Sequence, residues 1–449
     1  MAILPSTAKT VLLLLCLILG ACAARQPGMI RDLEVLPQDA AQYVSHPDSL
    51  LISPEAQDRF YHDFLDRFYR PWHRDNPRFS GHEVFWGLRS YASRDLFGPN
   101  NLPLPRTWIQ EMERRADQDG YPSTHQPGIT VVHASMRVLP TSRPVFFDPS
   151  RPGQGFPFDY MQNTLVPAGT PVLITHVSRD QQWALAETDF AAGWIRWHEL
   201  ALVDADFISS YQSGSLAGFT ADDIPMLSSN GSFLVSGRVG MALPLAPDQP
   251  CPDSFQVLVP VRHHTGSARI IPASVPRHAL HRMPFKPTQA NFSRIANAMM
   301  GQAYGWGGLY ENRDCSALLK DFLAGFGLFL PRNSRGQAEA GQVIELDGLD
   351  PAQKKELIAE QGQPWLTILY MPGHVMLYIG QDRETGRIAA YHSMWGLRTW
   401  RPFRDPGRWV IGRTVITSLE PGQEMFFLIR PQGLLVERLT RMVLVAEPS

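Results

Sequence analysis

Proline (38) and glycine (35) recur along the whole 449-residue chain, and that scatter limits what it can build. Proline fixes φ and removes a backbone donor, while glycine favours turns, so both interrupt regular segments. Short strands joined by turns, arranged as small β barrels, fit this punctuation better than a long helical bundle. The length points to about three folded units. An apolar content of 44% with a formal charge of −2 is that of a folded protein. So small a charge gives no electrostatic basis for binding nucleic acid or an anionic membrane.

One helical pattern stands out. Leu318, Leu319, Phe322, Leu323 and Phe326 recur on one helical face. Asp314 is a good N-cap type, which places Cys315 in the first turn. Unpaired N–H groups and the helix dipole favour a thiolate there. Cys315 is either a nucleophile or a small packing residue, and the helix alone does not separate the two.

A nucleophile needs a base, and the base needs an orienting partner. His374 opens the predicted strand His374–Ile379, and His392 ends the predicted strand Ile388–His392. Folding this hairpin about the polar turn Gln381–Gly386 puts His374 opposite Ser393, one residue from His392. One imidazole can then serve as base while the other holds its tautomer. Two adjacent histidines favour the catalytic reading of Cys315, provided its helix packs on that sheet.

The rest of the chain divides around this unit. Residues 23–53 read as a tether. Helices at Pro54–Trp72 and Arg106–Asp117 complete an N-terminal segment, 23–125, whose aromatics pack against the later domains. Strands at Ile129–His133, Pro171–Val177, Trp183–Glu187 and Gly193–Trp197 make a first barrel, 126–204. Its insertion Thr141–Tyr160 is too long for a plain hairpin and carries Phe146, Phe147, Phe156, Phe158 and Tyr160. Strands at Gly237–Leu245, Phe255–Val261 and Arg269–Ile271, then a loop Pro272–Pro276, make a second barrel, 205–283. His263-His264 belongs to a turn and does not chelate a metal, since strand neighbours point to opposite faces. After the linker Pro284–Pro287, the last domain (284–449) places helices before antiparallel strands, an α+β plan. Besides the hairpin, its predicted elements are helices Thr288–Met300 and Pro351–Glu360 and strands Leu366–Tyr370 and Trp409–Ile416. The tail Gly433–Val445 shows no clear period.

Two further resemblances assign a setting and a chemistry. Residues 1–22 carry Lys9, the apolar run Val11–Gly20, and Leu19-Gly20-Ala21-Cys22, which resembles a bacterial lipobox. That implies export, a lipid on Cys22, and, with Ala23 following, the periplasmic side of the outer membrane. Cys251, in a proline-rich loop, reads as a bystander rather than a disulfide partner.

Tyr304-Gly305-Trp306-Gly307-Gly308, Asp314-Cys315-Ser316, Leu330–Ser334 with Gln337, His374–Gly380 and Tyr391-His392-Ser393 together resemble the NlpC-type cell-wall cysteine peptidases, a papain-like group. The barrels ahead of this domain are similar to bacterial Src-homology-3-like modules, and residues 54–120 are similar to that family's stabilising segment. Where many members have Gly-Asp before the base strand, this chain has Met371-Pro372-Gly373.

The resemblance implies a peptidoglycan hydrolase that cuts the γ-D-glutamyl–diaminopimelate bond of stem peptides. A cysteine–histidine pair needs no metal or organic cofactor, and a monomer is expected. The resemblance also implies Cys315 as nucleophile, His374 as base and His392 as its orienter, with Tyr304, Trp306, Asp314 and Ser316 near the substrate. Asp314 is also an N-cap candidate, Trp306 is either cleft wall or core, and Arg332 and Gln337 read as structural. The Thr141–Tyr160 insertion is expected to reach the cleft through Phe156, Phe158 and Tyr160. Two other readings keep the same sequence features: an inert peptidoglycan-binding lipoprotein, and an acyltransferase using the same thioester.

Overall fold

The computed structural model describes residues 28–151, 153–247, 252–401, 403, 406–429 and 433–447. Cys22 and Cys251 lie outside them, and the readings for both stand as expectations.

The two N-terminal helices form at Pro54–Tyr69 and Thr107–Ala116. Ser53 caps the first by accepting the Ala56 N–H, and Pro71 sits in the 3-10 turn Arg70–His73 that ends it. Two short helices between them, Gly81–Val84 and Trp86–Tyr91, escaped the sequence reading because so few residues show no helical period. The first barrel is one seven-stranded antiparallel sheet running from Gln126–Thr130 to Leu200–Leu202. Met136, Val166, Val172, Ile174, Ala184 and Ile195 fill it.

The second barrel is built from a four-stranded and a three-stranded sheet. Two expectations fail here. Gly237–Leu245 is not one strand: Phe233–Gly237 stops at Gly237, and Gly240 at φ +85° turns the chain before Ala242–Pro244. Pro272–Pro276 is not a loop but the end of the strand Ala268–Pro276. Its inner neighbour Ile224–Ser228 pairs only at Ala273 and Ser274, so the strand tolerates proline on either side of them.

The last domain has six antiparallel strands: β1 (Gln342–Glu345), β2 (Thr367–Met371), β3 (His374–Gln381), β4 (Ile388–Thr399), β5 (Gly407–Thr417) and β6 (Arg441–Leu444), in the order β1-β6-β2-β3-β4-β5. Helix α1 (Cys315–Ala324) packs on this sheet through Leu318, Leu319 and Phe322, against Val375, Leu377, Ile379 and Tyr391. The unassigned tail thus supplies an inner strand. Val443 joins the core beneath α1 and Met442 the core on the other side, so β6 is apolar on both faces and shows no alternation.

The tether reading fails for residues 28–53. Ile30, Ala40 and Ile52 are fully buried. The Gln38 side chain donates to the Ile416 carbonyl (2.8 Å) and accepts its N–H (3.0 Å), and Asp32 accepts both the N–H and the hydroxyl of Ser418. The segment therefore covers the edge strand β5, whose unpaired backbone groups would otherwise invite association. Polar composition concealed this because several of its anchoring contacts are polar.

Replacing buried Met442 by alanine should destabilise the fold by about 2–5 kcal/mol. An unchanged urea midpoint for Met442→Ala would contradict the inner position of β6.

Candidate active site

The start of α1 is built around the Asp314 carboxylate. It caps the helix by accepting the Ala317 N–H (2.9 Å), and it also takes the Gly307 N–H and the Ser316 hydroxyl. Arg332 adds two hydrogen bonds to it, of 2.7 and 3.1 Å, and reaches Thr164 of the first barrel. Ser316 is held as well, since its hydroxyl accepts from Arg332 and its carbonyl from Gln337. Asp314 and Ser316 are thus engaged with the protein itself, and Arg332 and Gln337 tie the cysteine turn down.

The glycine-rich loop owes its composition to a close approach. Gly307 and Gly308 have φ of +61° and +86°, and a Cβ on either would lie 2.5 Å from Gln162 or Leu165 of the first barrel. Only glycine permits both the conformation and the contact. The loop's aromatics then meet the barrel insertion. Phe158 packs on Trp306 (5.2 Å between ring centroids) and Tyr304 (6.4 Å), and Tyr160 lies 6.1 Å from Trp306. Phe156 turns away instead, toward Tyr310, and is mostly exposed.

Cys315 opens onto a cleft of about 1440 Å³, including its mouth. Tyr304, Trp306, Asp314, Ser316 and Gly373 line it from the last domain, and Tyr160 and Asn163 from the first barrel. Glu83, Trp86 and Tyr91 complete it from the short N-terminal helices. Trp306 is therefore wall. The sequence reading missed Glu83, Trp86 and Tyr91, which lie in helices too short to register.

The histidines meet, though not in the expected register. The hairpin closes with Gln381 opposite Ile388, and a bulge separates Tyr378 from Gly380. Extending the pairing of Leu377 with Tyr391 puts His374 opposite Met394, with His392 on the diagonal. The rings still bond, His374 Nε2 to His392 Nδ1, at 2.7 Å. Next to His374, the Val375 N–H points at the Cys315 sulfur.

Hydrogen-bond bookkeeping assigns the tautomers. The Thr417 hydroxyl donates its one proton to the Ser418 carbonyl (2.8 Å), so it must accept from His392 Nε2–H (3.0 Å). Neutral His392 then carries no proton on Nδ1 and accepts from His374 Nε2–H. That leaves His374 Nδ1 as the basic nitrogen. Thr417 and Ser418 gave no sequence signal, because a threonine near the end of a strand looks like any other.

The electrostatics reverse one expectation. Burial, and then the Asp314 carboxylate, push the Cys315 thiol up to about 12, outweighing the N–H groups of Val375 and Ser316 and the charge of Arg332. Burial, with Arg438 nearby, pushes His374 down to about 4. Burial thus shifts the thiol and the imidazole each toward its neutral form, against the thiolate that the helix start favours. Burial also holds the Tyr304 phenol well above its ordinary range, with Cys315 and Asp314 adding to the effect, so it stays protonated.

Family models match four segments: the NLPC_P60 stabilising domain over residues 11–121, an SH3 domain of SH3b1 type over 144–196, one of SH3b2 type over 204–250, and the NlpC/P60 family over 301–386. An NlpC/P60 endopeptidase from Photobacterium damselae subsp. piscicida superposes with a TM-score of 0.82 at 26% identity, over 92% of this chain and 98% of that one. An NlpC/P60 family protein from Bacillus cereus ATCC 10987 has 16% identity and a TM-score of 0.45, over 71% of this chain and 98% of that one. No curated protein matches the sequence.

If Thr417 sets the tautomer, Thr417→Val should lower kcat on a stem-peptide substrate by about tenfold or more with KM little changed, and Thr417→Ser should restore it. Equal activity in the valine and serine forms would remove Thr417 from the relay.

Proposed function

This chain is an NlpC/P60 protein, with that family's catalytic domain behind its stabilising region and two SH3-type domains, and on that premise we propose that it is a cysteine endopeptidase cleaving the γ-D-glutamyl–diaminopimelate amide of peptidoglycan stem peptides. The observation that carries this reading is Cys315 at a helix start on a shared cleft, with the bonded pair His374–His392 beginning one residue from a backbone donor to its sulfur.

The bond assignment rests on the resemblance drawn from the motifs and from the two barrels ahead of them, and the Photobacterium protein, an NlpC/P60 endopeptidase, supports the reaction class. Cys22, as a lipidated residue, would hold the enzyme on the periplasmic side of the outer membrane, beside its substrate, as a monomer.

In the proposed reaction the Cys315 sulfur attacks the amide carbonyl while His374 Nδ1 takes the thiol proton. Because both groups rest neutral, the proton moves with the attack rather than before it. His392 supports the imidazolium that forms, through the proton it accepts from His374. Negative charge on the carbonyl oxygen falls near the Cys315 N–H and the Tyr304 hydroxyl, which serve as donors. His374 then protonates the leaving amine, and water, deprotonated by the same nitrogen, releases the γ-glutamyl acid. Trp306 and Tyr160, with Phe158 packed behind Trp306, form one wall for the peptide. Asp314 and Ser316 act by fixing the turn that carries the sulfur. A cysteine–histidine pair needs no metal or organic cofactor.

The purified protein and its Cys315→Ala form should be incubated with stem peptides and with intact sacculi, and the products weighed. Cleavage at the γ-D-glutamyl bond by the wild type alone is expected. No cleavage under reducing conditions would leave a binding protein, and products carrying an added amine would make it an acyltransferase. Protonating His374 removes the base, so kcat/KM should fall only as pH drops toward about 4. An acid limb centred at the ordinary histidine value of about 6.5 would contradict the buried neutral pair.

A further inference from the structure

Three arginines gather beside the turn that leads into His374. Arg398 on β4 stands directly opposite Arg408 on β5 in the strand register. Like charges at opposed positions destabilise a sheet. Arg438 joins them from the short helix Leu435–Arg438, and its Nη2 donates to the Pro372 carbonyl at 3.2 Å, two residues before His374.

The three guanidiniums oppose one another. Burial, then Arg398 and Arg438, lower the Arg408 pKa, and burial, then Arg398, lower that of Arg438. Elsewhere the protein neutralises its crowded arginines: Arg313 lies between Asp222 and Asp321, and Arg332 is bound to Asp314. Among the described residues, none of the three clustered arginines has a carboxylate partner. Arg398 and Arg438 each keep part of their surface in solvent, and a Cβ on Gly153 of the barrel insertion would lie 3.7 Å from Arg408 Nη2. The same insertion that walls the cleft therefore reaches this cluster.

A repulsive cluster kept at the entrance to the base strand is relieved by an anion. Guanidinium forks match carboxylates in shape as well as charge. We propose that Arg398, Arg408 and Arg438 form the subsite for the carboxylates of the departing amine product, that is, the free carboxylate of its diamino acid and the C-terminal carboxylate of the residue after it. The identity of that product rests on the function proposed above. The cluster would orient the scissile amide by holding the leaving side, while the aromatic wall holds the acyl side.

The test titrates full-length Cys315→Ala protein with diaminopimelyl-D-alanine and with its carboxamide derivative, in a background that cannot turn over. The free acid should bind at least about tenfold more tightly than the amide, and Arg408→Gln or Arg438→Gln should remove that preference without lowering Tm. Affinity should also fall as salt rises. Equal binding of acid and amide, or a preference that survives both substitutions, overturns the proposal. So does retention of the arginine cluster on phosphatidylglycerol vesicles with no affinity for the peptide, which would assign it to a lipid headgroup. Cleavage of stem peptides by the wild type, measured in parallel, separates the two ideas: product binding without cleavage sinks the endopeptidase reading alone, and cleavage without arginine-dependent binding sinks this one alone.

Discussion

The ion pair between Asp314 and Arg332 is the constraint on which the rest of this site depends. One carboxylate caps α1, holds the glycine-rich loop through Gly307, and takes the Ser316 hydroxyl, while the paired guanidinium reaches across to Thr164. Helix start, loop and first barrel are thereby referred to one buried point. Leaving either partner of such a pair uncompensated costs about 3–5 kcal/mol, far more than an exposed pair contributes. A second buried network works alongside it. Arg313, just before Asp314, bonds Asp222 of the second barrel and Asp321 of α1. Both barrels are thus tied through buried arginines to the turn that carries Cys315, the first by Arg332 on Thr164 and the second by Arg313 on Asp222.

That placement has a chemical consequence. The anion that positions the cysteine also opposes its ionisation, and burial adds to the effect. The imidazole is shifted the other way by burial and by Arg438. A site arranged like this disfavours a resting thiolate. It suits a reaction in which the substrate's own developing charge, met by donors at the helix start, makes proton transfer favourable at the moment of attack. A resting thiol is also less exposed to oxidation than a resting thiolate would be.

Much of this was legible from the chain. The helix of α1, its Asp314 cap, and the nearness of two histidines across a hairpin follow from local periodicity and turn chemistry, which act over a few residues. So do Pro171–Val177 and Trp183–Glu187, which the structure reproduces. The misses share a different cause. β6 was unreadable because a strand buried on both faces has no alternation. Residues 28–53 looked like a tether because several of their anchors, among them Gln38 on Ile416 and Asp32 on Ser418, are polar contacts to partners more than 370 positions away. Trp86 and Tyr91 sit on one helix too short to announce itself.

What the sequence determined by itself is the chemistry: one cysteine at a helix start, two histidines on adjoining strands, and a glycine-aromatic loop before them. What only the tertiary structure decided is how that chemistry is tuned and bounded. Cleft walls come from three separate segments, the tautomer of His374 comes from a threonine 43 positions on, and burial with the Asp314 charge raises the pKa of the thiol. Local pattern specifies which groups can react, because periodicity and caps are short-range. Burial and long-range hydrogen bonds set their protonation, because desolvation depends on everything packed around a group and not on its neighbours in the chain.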